Sequence, residues 1–193
     1  MRKSQWLFVI LFAMLYCTFT LAQAAKPAEP VDPGKLMDQG ITGLEREFVS
    51  AAEAMPEEKF DFAPTAGEFK GVRTFAQQVK HVAHANYVMS AAILGEKPPV
   101  DIGKENGPDT LKTKAEIVKF LKDSFAYAHK AALTINEKNL LLPLSNPWGE
   151  KYPKVTRLEL ATGIATHSFD HYGQMVVYLR MNNIIPPASR PQQ

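Results

Sequence analysis

The sequence has a single cysteine, Cys17, and it lies in an apolar stretch near the N-terminus. Two basic residues precede that stretch, residues 6–22 carry no charge, and small residues stand at the −3 and −1 positions of a cleavage site after Ala24. This pattern predicts a signal peptide over residues 1–24, removed by cleavage after Ala24. The mature chain would then contain no cysteine, which excludes disulfide bonds and thiol nucleophiles.

The apolar stretch is long for a signal peptide, so an uncleaved N-terminal membrane anchor is the alternative interpretation. Both interpretations place the protein outside the cytoplasm, and we expect a periplasmic or secreted location. Apart from this segment, no interaction with a membrane is expected.

An excess of charge is also missing. The sequence has 22 Lys and Arg against 20 Asp and Glu, and residues 1–24 contain two basic and no acidic side chains. Cleavage would therefore leave 20 charged residues of each sign. A chain without a basic surplus has no general electrostatic attraction for nucleic acid, so nucleic-acid binding is not expected.

The sequence further lacks segments in which apolar and polar residues alternate between turn signals, and we therefore predict no β-sheet. Residues 25–33 are rich in proline and read as a tether. Beyond them, four stretches carry apolar residues at spacings of three and four, the pattern of a helix with one buried face. Helices are predicted over approximately these ranges: 34–55, 75–94, 114–135 and 157–181.

Residues suited to a helix N-terminus stand at each predicted start. Asp32 precedes Pro33, and proline is favoured at the first position of a helix. The other three starts share the capping-box pattern, in which a threonine is followed three residues later by Gln or Glu. These threonines are Thr74, Thr113 and Thr156.

Four helices of this length, each with a single apolar face, favour an all-α fold. The economical arrangement is an antiparallel four-helix bundle of the up-and-down type, which we place over residues 34–189, with residues 190–193 as a tail. Binding sites in such bundles are formed by side chains on facing helices.

The fourth predicted helix carries two histidines, His167 and His171, four positions apart. Residues at this spacing lie on one face of a helix, so their imidazoles can bind the same metal ion if a third ligand is supplied elsewhere. Histidines at this spacing also occur on ordinary helix surfaces, which is the alternative interpretation.

Helical-wheel angles select the third ligand. His81 lies on the flank of the apolar face of the second helix, in line with Ala85, whereas His84 faces solvent. His129, on the third helix, lies well away from the apolar face. We therefore predict a metal site formed by His81, His167 and His171, which requires the second and fourth helices to be neighbours, and we expect His84 and His129 to be ordinary surface residues.

Two neighbouring features have two interpretations each. The small side chain of Ala85 leaves room for a cavity beside His81, or else allows close helix packing. Trp148, in the loop before the fourth helix, is expected to cover the end of the bundle; the alternative is that it lines a pocket.

Two segments resemble the signatures of a known family. Residues 72–83 (VRTFAQQVKHVA), followed by residues 85–87 (ANY), resemble the second-helix signature of the DinB-like (DinB/YfiT) superfamily; His84 between them is not part of the resemblance. Residues 167–174 (HSFDHYGQ), then 178–180 (YLR) and Pro186-Pro187, resemble its C-terminal signature. The resemblance covers about residues 35–189. It implies a four-helix bundle with a metal site made of one histidine on the second helix and a His-x3-His pair on the fourth.

Carried over by motif position, the implied metal ligands are again His81, His167 and His171. Known activities in the superfamily are metal-dependent transfers and isomerisations that use a low-molecular-weight thiol. We therefore expect a metal-dependent enzyme of the transferase or hydrolase type, acting on an unidentified small molecule. The alternatives are a non-catalytic bundle that binds a metal or a small ligand, and a bundle with a structural or partner-binding role.

The donor set indicates which cofactor to expect. Zinc is the default ion for three nitrogen ligands, and nickel, iron and manganese are also compatible with them. No catalytic residue other than the ligands is assigned by the sequence, and a homodimer is kept open as the alternative to a monomer.

Overall fold

The structure, a computed structural model, describes residues 30–191, and its compact helical unit begins at Asp32. The predicted signal peptide and the tether up to residue 29 lie outside the described residues. Within residues 30–191, no helix has both the length and the apolar character that a membrane crossing requires.

The described part of the chain contains four α-helices, which confirms the predicted helix number. α1 spans Pro33–Ala54, α2 spans Phe75–Leu94, α3 spans Lys114–Ala132 and α4 spans Arg157–Met181.

The predicted capping residues set where these helices begin. The Asp32 carboxylate accepts hydrogen bonds from the first backbone amides of α1, and complete capping boxes start α2, α3 and α4 at Thr74, Thr113 and Thr156. A cap of this kind stabilises a helix by about 1 kcal/mol, because it satisfies backbone N–H groups that have no partner inside the helix. At the other end of α2, Gly95 adopts a left-handed conformation with φ of 71°.

α3 is shorter than predicted and ends at Ala132, before Ile135. The amides of Thr134 and Ile135 bond to carbonyls three residues back instead of four, and the Thr134 hydroxyl also donates to the Ala131 carbonyl, at 2.7 Å. This competition for the last carbonyls tightens the chain into turns. Ile135 nevertheless stays buried, which explains why it fitted the helical pattern.

The prediction that the chain forms no sheet is wrong at one place. Strand β1, Pro143–Leu144, pairs antiparallel with strand β2, Val155–Thr156. Strands of two residues are too short to show alternation in a sequence. Because β2 leads directly into α4, this pairing fixes where α4 starts.

The helices are not arranged in the simple order in which each lies beside the next in sequence. α1 packs against α3 and α4, and α2 packs against the same two helices. α1 and α2 therefore occupy opposite corners of the bundle, joined by the long connection over residues 55–74. The contact between α2 and α4 is the one that the predicted site requires.

The predicted apolar faces of the four helices meet in one core. Aromatic packing in its centre includes Phe48 of α1 and Phe125 of α3, whose ring centroids lie 6.3 Å apart. Burial of side chains of this size stabilises the fold by about 1.5–3 kcal/mol each. The largest fully buried side chains are Phe48, Phe75, Phe125, Ile41, Leu44, Met55, Ile93, Leu121, Ile135, Ile164, Met175 and Leu179.

His129 is not an ordinary surface residue, contrary to the prediction. It joins α3 to α1, with Nδ1 2.6 Å from the Asp38 carboxylate and Nε2 3.1 Å from the Glu45 carboxylate. A ring that contacts an acceptor at both nitrogens must carry two protons, and hence a positive charge. Burial lowers the pKa of His129, but the hydrogen bonds to Asp38 and Glu45 outweigh it, so that the pKa is raised overall.

The contacts of His129 with Asp38 and Glu45 make the stability of the fold depend on pH. Because the pKa of His129 is raised by folding, its contribution is fully present below the unfolded pKa of about 6.5 and is lost as pH rises through the folded pKa. We expect His129→Gln to lower the free energy of unfolding by on the order of 1 kcal/mol at pH 6, and by less at pH 9. Urea unfolding of the original protein and of His129→Gln across this pH range measures the difference in the free energy of unfolding. A difference that does not change with pH would contradict a charged His129 paired with Asp38 and Glu45.

Candidate metal centre

The packing of α2 against α4 brings three histidines together. The rings of His81, His167 and His171 lie with their centroids 4.6–5.0 Å apart in pairs. One nitrogen from each ring lies within 4.8 Å of the nitrogens offered by the other two. Among residues 30–191, this is the one group of three His, Cys, Asp or Glu side chains close enough to hold a metal ion.

The spacing of these nitrogens suits a single ion. Imidazole nitrogens bind zinc at about 2.0–2.1 Å, so two nitrogens on one ion lie at most about 4 Å apart. Nε2 of His81 and Nε2 of His167 are already separated by only 3.1 Å. Movements of less than about 1 Å would close the group around an ion, and the three histidines could therefore bind a divalent metal.

Hydrogen bonds fix the tautomers of two of these rings. His81 donates its Nδ1–H to the backbone carbonyl of Glu105, at 2.7 Å, and His171 donates its Nδ1–H to the side-chain carbonyl of Gln78, at 2.5 Å. Both partners accept at these oxygens and have no proton to give. In each neutral ring Nε2 therefore keeps its lone pair, as a metal ligand must.

His167 is held differently. Its Nδ1 is buried and finds no hydrogen-bond partner within the described part of the chain, while its Nε2 faces Nε2 of His81. Without an ion, a proton on His167 Nε2 can be donated to the lone pair of His81. An ion bound through Nε2 of both rings would take the place of that proton, and the neutral ring of His167 would then carry its proton on Nδ1.

The environment keeps the three rings neutral. Burial lowers the pKa of His81. Burial, followed by the proximity of neighbouring histidines, lowers the pKa of both His167 and His171 to about 4. Neutral imidazoles bind metals, whereas protonated ones must first lose a proton, so the cluster is in its metal-binding form at pH 7.

The sequence did not reveal a series of hydrogen bonds that supports the ring of His171 from behind. Gln78 is only 1% exposed, and its Nε2 donates to Oε1 of Gln174 at 2.8 Å. Nε2 of Gln174 in turn donates to the carboxylate of Asp170, at 3.2 Å. Asp170 is exposed and lies outside the histidine cluster, and its carboxylate ends this series of hydrogen bonds. The signal that could have revealed Gln78 is its position one turn before His81, on the same flank of α2.

The loop after α2 supplies a second support that the sequence did not reveal. Backbone carbonyls of this loop hold two histidines, Glu105 holding His81 and Ile102 accepting from His84 Nδ1 at 3.0 Å. Arg73 ties the loop down through an ion pair with the Glu105 carboxylate. Backbone carbonyls are present at every residue, so no side-chain pattern marks those that act here.

Two glycines shape this loop: Gly107 lets it approach α2, and Gly103 lets it fold back on the backbone of Gly107. Gly103 and Gly107 have φ of 62° and 73°, in the left-handed region that favours glycine. A Cβ at Gly107 would lie 2.7 Å from Cβ of Lys80 on α2, which is too close for any side chain. This close approach brings the loop's backbone carbonyls within hydrogen-bonding distance of His81 and His84.

A cavity of about 740 Å³ opens beside the cluster. Ala85 lines it, in agreement with the cavity interpretation of that residue. His84 and Trp148 also line it. The prediction that His84 is an ordinary surface residue is therefore wrong. Trp148 lines a pocket, which agrees with the alternative interpretation of that residue. Asn86, also on α2, does not line the cavity. Its side-chain amide lies in the core and donates a hydrogen bond to the hydroxyl of Ser124, at 3.3 Å.

Comparison with known proteins agrees with this architecture. Residues 41–175, more than half of the chain, match the sequence model of the DinB superfamily. A crystal structure of a DinB-like protein from Bacillus cereus ATCC 10987 is similar with a TM-score of 0.62 and 14% sequence identity, covering 78% of this chain and 93% of that one. At this identity the similarity concerns the fold alone. No curated protein matches the chain.

The predicted resemblance is thereby confirmed, over a stretch that runs from α1 into α4 and contains all three clustered histidines. The chain belongs to the DinB superfamily.

Proposed function

We propose that the protein is an exported, metal-dependent enzyme of the transferase or hydrolase type, with His81, His167 and His171 as its metal ligands. The observation that carries the proposal is the convergence of three imidazoles, two of which, His81 and His167, line a cavity. Export is supported by the sequence pattern of residues 1–24.

Zinc is the ion that best suits this donor set, and nickel, iron and manganese are the other candidates. Structural zinc sites have four protein ligands, whereas catalytic sites have three and keep a position open for water or substrate. When bound, such an ion acts as a Lewis acid and lowers the pKa of the water or substrate group that it binds.

The protein's own residues prepare the site for this role. Gln78 and the Glu105 carbonyl orient the rings of His171 and His81, so that little rearrangement accompanies binding. The cavity next to His81 and His167 provides room for a small-molecule substrate. Pre-orientation of this kind is what catalytic and binding sites require of the groups behind their ligands.

Metal binding is the first test. We expect the chain to take up one equivalent of zinc, and zinc at one hundred times its dissociation constant to raise the free energy of unfolding by about 2.7 kcal/mol. Chelation should reverse the increase. Calcium and magnesium, which prefer oxygen ligands, serve as controls and should have no effect. Titration calorimetry and urea unfolding measure both quantities, and a chain that binds none of the candidate transition metals would refute the proposed site.

A second function, a non-catalytic bundle that binds a metal or a small ligand, is favoured by one observation. Among the described residues that line the cavity, the one carboxylate is that of Glu105, and it is paired with Arg73 instead of being free to transfer protons. Assays of hydrolysable esters and thiol adducts distinguish the two functions. Turnover that chelation abolishes and zinc restores supports the enzyme, and its absence across a broad panel supports the binding bundle.

A further inference from the structure

The cavity and the histidine cluster share a wall. His81 and His167 belong to both, so a molecule inside the cavity lies against the proposed ion site. A volume of about 740 Å³ is within the range of pockets that bind small molecules. The residues lining the cavity are His81, His84, Ala85, Met89, Glu105, Trp148, Gly163, Thr166 and His167.

The shape and chemistry of the walls favour a flat apolar group. Ala85 on α2 and Gly163 on α4 present almost no side chain, so the cavity can extend between the two helices. A Cβ at Gly163 would lie 3.1 Å from the sulfur of Met89, which shows how closely the helices approach here. Thioethers and indoles both make favourable contacts with aromatic rings, and Met89 and Trp148 line this cavity.

The charges around the cavity favour an oxygen-bearing head group on such a ligand. The carboxylate of Glu105 is neutralised by Arg73. Three neutral imidazoles with a divalent ion would carry a net positive charge, which attracts a carbonyl or carboxyl oxygen. His84 donates its Nδ1–H to Ile102, which leaves Nε2 as the ring nitrogen available to a ligand.

We propose that the cavity binds an aromatic acyl compound, that is, an arenecarboxylic acid, amide or ester. Its ring would lie against Met89 and Trp148, and its acyl oxygen would be directed to the ion at the histidine cluster. This inference rests on the proposed function and adds the substrate class to it.

Three hydroxamates test the proposal, because they share one metal-binding group and differ only in the substituent. Benzohydroxamate carries a phenyl ring, cyclohexanecarbohydroxamate an aliphatic ring of similar bulk, and acetohydroxamate a methyl group. With the zinc-loaded chain, we expect calorimetry to give benzohydroxamate an affinity at least about tenfold above acetohydroxamate and a few-fold above the cyclohexyl compound, because ring burial adds to the shared metal contact.

Two variants locate the ring. Trp148→Ala should bring the affinity for benzohydroxamate down about tenfold, to near that for acetohydroxamate, while zinc content and acetohydroxamate affinity stay unchanged. Because Trp148 is half exposed on a loop, its replacement puts little of the fold at risk. Gly163→Leu should fill the cavity and have the same selective effect. Its matched control is Gly173→Leu, on the same helix, where an added Cβ meets no atom within 4 Å.

The outcomes separate this inference from the proposed function. Zinc uptake and acetohydroxamate binding without any preference for the phenyl ring would overturn the inference and leave the metal site intact. Equal binding of the phenyl and cyclohexyl compounds would also overturn it, since the cavity would then select bulk alone. A chain that binds none of the candidate transition metals would overturn the proposed function, and the inference with it.

Discussion

His81→Ala is expected to weaken zinc binding at least about a hundredfold, whereas His84→Ala, one turn further along α2, should change it by less than about threefold. Loss of a group that merely supports a ligand costs about 10–100-fold in metal affinity, and loss of a ligand itself should cost at least as much. The prediction concerns two residues of the same type on the same helix.

The pair is well matched because the two histidines share nearly everything except the cluster. Both are half-buried on α2, and both donate Nδ1–H to a carbonyl of the same loop, at Glu105 and Ile102. They differ in where the other nitrogen lies, since only Nε2 of His81 approaches His167. A difference in zinc affinity between the variants therefore reports coordination, separate from any effect on the loop.

Competition against a zinc-binding dye measures both affinities, and circular dichroism verifies that both variants remain helical. Equal losses in the two variants would show that the loop matters and that coordination by His81 does not. Full zinc affinity in His81→Ala would remove that residue from the site. His167→Ala and His171→Ala should behave like His81→Ala, because each supplies one nitrogen of the same group.

The clustering of the three histidines was predictable because helices turn by a fixed angle per residue. Capping boxes at Thr74 and Thr156 defined where α2 and α4 begin, and the apolar faces defined their rotation. These two facts together place His81, His167 and His171 on the flanks of neighbouring helices. No knowledge of the loops was needed for this part of the site.

The supporting groups could not be predicted in the same way, because they depend on contacts between elements. The Glu105 carbonyl belongs to a loop whose path depends on Gly103, Gly107 and Arg73, and a wheel drawn for α2 contains none of these. The errors at His84 and Trp148 have the same cause. His84 does point away from the bundle core, but a loop covers that side of α2, and Trp148 reaches the same cavity from the loop before α4.

His129 and the order of the helices show a related limit. Its two partners, Asp38 and Glu45, lie on α1, and the contact exists only because α1 packs directly against α3. Amphipathic patterns show which face of a helix is buried and leave open which helix buries it. The diagonal placement of α1 and α2 is therefore a property of the fold that the pattern of one sequence does not contain.

Gln78→Leu is expected to weaken zinc binding by about 10–100-fold although Gln78 is not a ligand. The substitution removes the acceptor for His171 Nδ1–H and leaves that donor buried without a partner. The ring can then rotate or exchange its proton to Nε2, the nitrogen that the ion needs. The carboxamide of Gln174 also loses its hydrogen bond from Gln78, so Gln174 and Asp170 are no longer linked to the histidine cluster.

Two further variants make this expectation specific. Asn86→Leu also replaces a buried amide on α2, but the hydrogen bond of Asn86 is to Ser124 on α3. Its zinc affinity should therefore stay within about threefold of the original, while its free energy of unfolding falls by about 1–3 kcal/mol. Gln78→Glu keeps an oxygen acceptor for His171 and should recover most of the affinity lost in Gln78→Leu. Dye competition and urea unfolding on all three variants separate the two effects. If Gln78→Leu and Asn86→Leu lose zinc affinity equally, the loss reflects general damage to α2. If only Gln78→Leu loses zinc affinity and Gln78→Glu restores it, the oxygen acceptor at position 78 is what holds the ring of His171 in its metal-binding tautomer.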